Sequence, residues 1–168
     1  MDSRLFSIEG KTILVTGGAR GIGLMIVKAF VEAGARVYIS SRKKTSCDLV
    51  AHELGRVGEC ISIPADLSQL EEVERLSALI KESEKGLDVL VNNAGSTWGA
   101  PLQDFPEKGW DKVMDLNLKS PFFLIQKLLP LLESASKPED PSRIINIGSV
   151  DGLHTPLFEN FSYAASKA

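Results

Sequence analysis

The sequence predicts an α/β fold, a doubly wound parallel sheet in a single domain over residues 1–168. Three observations carry that expectation. Short apolar, β-branched runs alternate with helical stretches along the whole chain, giving five strand candidates. The first of these runs leads through a glycine-rich turn directly into a helix. Polar side chains then gather where later runs end, which is where open α/β sheets bind ligands.

Thr12-Ile13-Leu14-Val15 reads as a buried parallel strand. Thr16-Gly17-Gly18-Ala19-Arg20-Gly21-Ile22-Gly23 follows, and apolar residues then fall at Ile22, Met25, Ile26, Ala29, Phe30 and Ala33. That spacing predicts a helix packed on the sheet through those positions. Glycines let backbone pass close to a pyrophosphate, and a helix start offers unpaired N–H groups and partial positive charge. Gly17, Gly18, Arg20, Gly21, Ile22 and Gly23 are therefore candidates for holding a dinucleotide. A plain tight turn is the alternative.

Arg36-Val37-Tyr38-Ile39-Ser40 is the second strand, placed after Gly34, where a helix C-terminal glycine belongs. A NAD site closes this strand with an acidic residue for the ribose 2′-hydroxyl. Here Ser40-Ser41-Arg42-Lys43-Lys44 stands instead, and no carboxylate comes before Asp48. A guanidinium suits a 2′-phosphate through paired, charge-assisted hydrogen bonds. Ser41 and Arg42, with Arg20 as a second cation, favour NADP(H), although a basic run can also be the solvated start of a helix.

Lys43 to Leu54 is a poorly patterned helix, closed by Gly55 or Gly58, and Glu59 to Pro64 alternates like a third strand. It ends at Ala65-Asp66-Leu67, where Asp66 can accept from an adenine amino group or cap the next helix. Ser68 with Glu71 suggests a capping box for a helix running through Val73, Leu76, Leu79 and Ile80 to about Glu84. Leu87 to Val91 is the fourth strand and leads into Asn92-Asn93-Ala94-Gly95. These amides either face a ligand or satisfy loose backbone groups between strands. After a loop containing Trp98, helix is expected from about Glu107 to Leu132. Its second half, Phe122 to Leu129, is apolar on nearly every side, so it should be covered by the sheet and by a second subunit. Arg143 to Ser149 is the fifth strand, and Tyr163 and Lys167 stand four apart on a final helix.

Composition narrows the function classes. A net charge of −3 with interspersed signs leaves no basic face for nucleic acid or membrane. Cys47 and Cys60 form no metal-ligand cluster with His52 or His154 and read as two reduced thiols, which implies a cytoplasmic setting and no metal site. Leu5 to Glu9 is a short lead-in, either an extra strand or a tail.

Four separated motifs, Thr16-Gly17-x-x-x-Gly21-Ile22-Gly23, Asn92-Asn93-Ala94-Gly95, Ser149 and Tyr163-x-x-x-Lys167, occur in the order typical of the short-chain dehydrogenase/reductase family, which this chain resembles. Asn117 matches a fourth member of that family's catalytic set. The narrower likeness is to 3-oxoacyl reductases of the rhamnolipid-associated type, through Ile61 to Leu67, Val91 to Gly99 and Gly109 to Met114. The resemblance implies a Rossmann-type NADP-binding domain contacted also by Asp66, Leu67, Asn93, Ala94, Gly95, Tyr163 and Lys167. It implies a homodimer or homotetramer, a small carbonyl substrate such as an acyl thioester, and a water held by Asn117 that links Lys167 to solvent. Family members run on well past a position matching Ala168, so the chain is expected to be a portion of a longer protein or a short form lacking its last strands. The fifth strand would then be an exposed edge.

Reducing a ketone needs a hydride donor at the carbonyl carbon and a proton donor at its oxygen. An ordinary phenol titrates at about pH 10 and needs its anion stabilised to work near neutrality. An ammonium one helical turn away does so. Tyr163 is thus the expected proton donor, Lys167 its electrostatic partner, and Ser149 a hydrogen-bond donor to the carbonyl oxygen. A non-catalytic NADP(H)-binding protein is the alternative. Glu139 and Asp140, before the fifth strand, argue against docking of an acidic carrier protein there, and Leu153, Pro156, Leu157 and Phe158 would suit an acyl chain.

Overall fold

The computed structural model describes residues 7–155 and 157–168. Leu5 and Phe6 of the lead-in, and Pro156, lie outside them. Five parallel strands, β1 (Thr12–Thr16), β2 (Arg36–Ser40), β3 (Cys60–Ser62), β4 (Val89–Asn92) and β5 (Arg143–Asn146), form one sheet in the order β3-β2-β1-β4-β5. The order reverses beside β1, and a doubly wound sheet opens its ligand crevice at that point. Helices α1 (Gly21–Glu32), α2 (Lys44–Leu54), α3 (Leu70–Ser83), α4 (Glu107–Met114), α5 (Ser120–Ala135) and α6 (Phe161–Lys167) complete it.

Side chains alternate across the pleat, so β1 feeds two cores. Ile13 and Val15 pack with Val27 and Val31 of α1 and with Cys47 and Leu54 of α2. Leu14 faces the other way, onto Leu76 and Ile80 of α3 and Leu124 and Leu128 of α5. The central strands β1 and β4 are buried almost throughout.

Helix α1 sits in a different phase from the one its apolar residues suggest. Its buried line is Gly23, Val27 and Val31, whereas Ile22 and Met25 are 61% and 68% exposed. Gly23 sets that phase. A Cβ there would come 2.3 Å from the Gly17 carbonyl oxygen and 2.5 Å from the Asn93 amide nitrogen, so the helix touches the turn at a residue with no side chain. Positions four and eight residues further on then meet the sheet, with Ile26 and Phe30 flanking them.

The expected capping box is absent from α3. The residue before the helix is Gln69, which makes no side-chain cap, and Ser68 is turned to Asp66 instead. The long helical region is present but interrupted by a π turn at Asp115–Lys119 between α4 and α5. In α5 one face is buried, while Leu118, Phe122 and Leu129 line the outer face from the π turn onward. Strand β5 is exposed along its length, the edge anticipated from sequence, with Ile144 and Ile145 about two-fifths exposed. Asp140 pairs with Lys11 and Arg143, which holds its carboxyl below the usual range. No helix among the described residues is long and apolar enough to cross a membrane.

Candidate active site

A cleft of about 490 Å³ opens at the C-terminal ends of β1, β2 and β4. Gly17, Arg20, Gly21, Ile22 and Gly23 form one wall. Ser41 and Arg42 stand at the end of β2, and Leu67, Asn93, Ala94 and Gly95 close the other side.

The turn owes its shape to a small hydrogen-bond set. Gly17 and Gly21 adopt φ of 69° and 54°, which side chains disfavour. Gly17 N and Gly18 N both donate to the Ser40 carbonyl, at 2.7 and 3.2 Å. Thr16 Oγ1 accepts from Asn93 N and Ala94 N, each at 3.0 Å, and donates to the Val91 carbonyl. Asn93 Nδ2 donates to the Thr16 carbonyl at 2.9 Å. The side chain of Asn93 therefore clamps the turn to β4, and the residue also lines the cleft. Both readings of this amide hold together. Asn92 ties β4 to β5 through Asn146 at 2.9 Å.

Helix α1 presents its first turn to this cleft with no side-chain cap and no acidic residue. Its leading N–H groups and partial positive charge thus face an anion-sized space. Ser40 Oγ is fully buried on the cleft wall and has no hydrogen-bond partner among the described residues. The donor set and glycine cradle fit a dinucleotide with a phosphate near Arg42. Gly18 is not on the wall; a Cβ there would meet Ile39 and Val27 at 3.0 Å, so it allows close helix–strand packing. Asp66 lies between two lining residues, with Oδ1 accepting from Ser68 N and Oγ at 3.2 and 2.8 Å.

Lys43, Ser46, Ala65 and Leu116 also line the cleft. Lys43 belonged to the basic run and could have been named with Arg42. Ser46 sits in the first turn of α2, and Ala65 and Leu116 are apolar wall residues; no spacing marks any of them.

Ser149, Tyr163 and Lys167 do not line this cleft; they form a second group, linked to its Gly95 end through Asn117, which borders Gly95 and bonds Ser166 of α6. Ser149 is extended (φ −152°, ψ 155°), and its Oγ accepts from Asp151 N at 3.2 Å. That bond leaves the hydroxyl hydrogen free to donate. On α6, Lys167 Nζ donates to the Ile147 carbonyl at 2.6 Å and stands 5.8 Å from the centroid of the Tyr163 ring. Partial burial lowers the Lys167 pKa below the usual lysine value. The water removed by that burial would otherwise screen the ammonium from the phenol. Tyr163 Oη has no hydrogen-bond partner among the described residues, and Ser149 and Tyr163 do not bond each other.

Asn117 is buried in the π turn, a feature frequent at functional sites. Its Oδ1 accepts from Ser96 N at 2.9 Å, and its Nδ2 donates to the Ser96 carbonyl and to Ser166 Oγ at 3.0 and 2.9 Å. Both amide hydrogens are spent, which leaves the second lone pair of Oδ1 and the main chain to hold a water. The side chain itself joins the loop after β4 to α6. Ala100 N donates to the Glu159 carbonyl at 3.1 Å, and Phe105 meets Phe161 edge to face, which fastens the Trp98 loop to the same helix.

Comparison with known proteins gives a consistent picture. A family model described as short chain dehydrogenase matches residues 11–168. The chain is 48% identical over 163 residues to the rhamnolipids biosynthesis 3-oxoacyl-[acyl-carrier-protein] reductase of Pseudomonas aeruginosa, covering 97% of this chain and 64% of that protein. Among solved structures it resembles the Pseudomonas aeruginosa RhlG/NADP active-site complex, with a TM-score of 0.92, 48% identity, and coverage of 97% of this chain and 64% of that one. It also resembles a metagenomic short-chain oxidoreductase in complex with NADP, with a TM-score of 0.87, 34% identity, and coverage of 96% and 72%. The chain thus spans just under two thirds of the length of the Pseudomonas relative.

Proposed function

Since the chain belongs to the short chain dehydrogenase family, we propose that it reduces a ketone to an alcohol with NADPH, a 3-oxoacyl thioester being the first substrate class. The observation that carries this reading is the partly buried Lys167 ammonium, one helical turn from Tyr163 on a helix packed beside Ser149. The nicotinamide supplies the hydride when bound. Tyr163 donates its hydroxyl proton to the carbonyl oxygen, and Lys167 stabilises the phenolate left behind. Ser149 donates a hydrogen bond to the same oxygen as charge develops on it.

Cofactor choice follows from the end of β2. Among the described residues no acidic side chain lines the cleft there, while Arg42 and Lys43 do. Arg42 would take the 2′-phosphate, with Arg20 and Lys43 as nearby cations. Two NADP complexes among the structural relatives support this preference.

A lipophilic substrate is supported by the apolar residues around the Ser149 loop. Val150, Leu153, Leu157 and Phe158 are each at least 70% exposed. Glu139 and Asp140 do not bear on carrier docking at the cleft. Their turn precedes β5, so it lies at the N-terminal ends of the strands, opposite the cleft, and Asp140 is occupied by Lys11 and Arg143. We also assign the outer α5 face, with Leu118 and Phe122, to a second copy in a dimer or dimer of dimers, and place the protein in the cytoplasm.

The test is kcat/KM on the complete native polypeptide with one 3-oxoacyl group, presented as a small thioester and on an acyl carrier protein, beside steroid, quinone and sugar ketones. Turnover of the acyl substrates ahead of the polar ketones is expected. Preference for small polyols, or tight NADPH binding without turnover of any carbonyl, would overturn the reading, the latter in favour of a binding protein.

A further inference from the structure

We infer that Asp151 and Asn160 are a positioning pair that sets the Ser149 hydroxyl against the helix carrying Tyr163 and Lys167; this rests on the ketone-reductase reading above. Asp151 reaches Ser149 through its main chain, its N–H donating to Ser149 Oγ at 3.2 Å. That bond occupies one lone pair of the hydroxyl and directs its hydrogen elsewhere. The carboxylate of the same residue accepts from Asn160 Nδ2 at 2.9 Å. A carboxylate only accepts, so the amide must present its nitrogen here.

Asn160 is buried and immediately precedes α6. An asparagine at that position ordinarily uses its side chain to cap the helix. This one makes no side-chain cap, and its Oδ1 is buried without a partner among the described residues. Its side chain therefore serves Asp151 rather than the helix. Its main chain is tied to α6, because the Asn160 carbonyl accepts from Ala164 N at 3.0 Å. Tyr163 follows three residues later.

The same turn is braced at the far end of α6. A Cβ on Gly152 would come 2.0 Å from the Lys167 carbonyl oxygen, so the turn lies directly on the backbone of Lys167. The Ser149 segment is thus held at both ends of the catalytic helix, by a side-chain bond at Asn160 and by close packing at Lys167. Losing the first brace lets the hydroxyl drift relative to the phenol while leaving the nucleotide cleft untouched, since neither residue lines that cleft.

The experiment compares Asn160→Asp, Asp151→Asn, the double exchange and Tyr163→Phe in the complete native protein. Asn160→Asp sets two carboxylates face to face and should lower kcat about 10- to 100-fold, with NADPH affinity unchanged. Asp151→Asn keeps an acceptor for Asn160 and should lose less. The double exchange restores a donor–acceptor pair with reversed polarity and should recover most of the lost kcat, with thermal stability level across all three variants, whereas a merely structural role would move stability together with the rate. Unchanged kcat in Asn160→Asp, a parallel loss of NADPH affinity, or no recovery in the double exchange would overturn the inference. If Tyr163→Phe retains full rate, the reductase reading fails and the pair with it. If only Tyr163→Phe is impaired, the pair alone is wrong.

Discussion

Replacing Tyr163 by Phe should cut the rate of ketone reduction by about 100-fold or more while leaving NADPH binding essentially unchanged. The substitution deletes one oxygen and keeps the ring over which Lys167 sits at 5.8 Å. That oxygen has no hydrogen-bond partner among the described residues, so its loss leaves no internal donor or acceptor unsatisfied and should not destabilise α6. Steady-state rates at saturating NADPH, with the cofactor affinity measured separately, check this outcome. A Tyr163→Phe enzyme working at the wild-type rate would remove Tyr163 as the acid.

Replacing Arg42 by Ala should weaken NADPH by about ten- to hundredfold, the equivalent of roughly 1.5–3 kcal/mol for a charge-assisted contact. NADH should be almost unaffected. Arg42 is exposed at the mouth of the cleft, and Lys43 lines it as well, so some attraction for phosphate survives the substitution. Titration of the variant with both nucleotides separates the explanations. Equal weakening of both would make Arg42 a structural residue and remove the 2′-phosphate argument.

The parts of the fold legible from sequence are those fixed by local chemistry. The glycine turn is recognisable because glycines cluster between a β-branched run and a helical stripe, and Gly17 and Gly21 there adopt positive φ. Strand identities follow from their Val and Ile content, and the exposed β5 edge from the family resemblance, whose members carry further strands. The phase of α1 was not legible. The contact that sets it is Gly23 against Gly17 and Asn93, and a hydrophobicity pattern gives a glycine no weight. The start of α3 was misread for a similar reason: Ser68 had two partners available, and Asp66 won over the helix N–H groups.

Site residues divide in the same way. Ser149, Tyr163 and Lys167 are proposed for the chemistry from residue type and spacing. The partners of Asn117 come from Ser96 and Ser166, distant in sequence on either side, and no local pattern marks such a junction. Ser46, Ala65 and Leu116 enter the cleft only because separate chain segments converge on it. The Glu139-Asp140 turn precedes a strand of a parallel sheet, so its place opposite the cleft is legible from sequence, and the parallel β4–β5 pairing agrees.

Following the hydride itself separates ketone reduction from cofactor binding alone. NADPH deuterated at the transferred position of its nicotinamide is supplied with a 3-oxoacyl thioester and the complete native protein, and the product is weighed. The expected product is a 3-hydroxyacyl thioester carrying deuterium on its carbinol carbon, in step with the NADPH consumed. NADPH that binds and is never oxidised by any carbonyl offered, or an alcohol formed without the label, would contradict it.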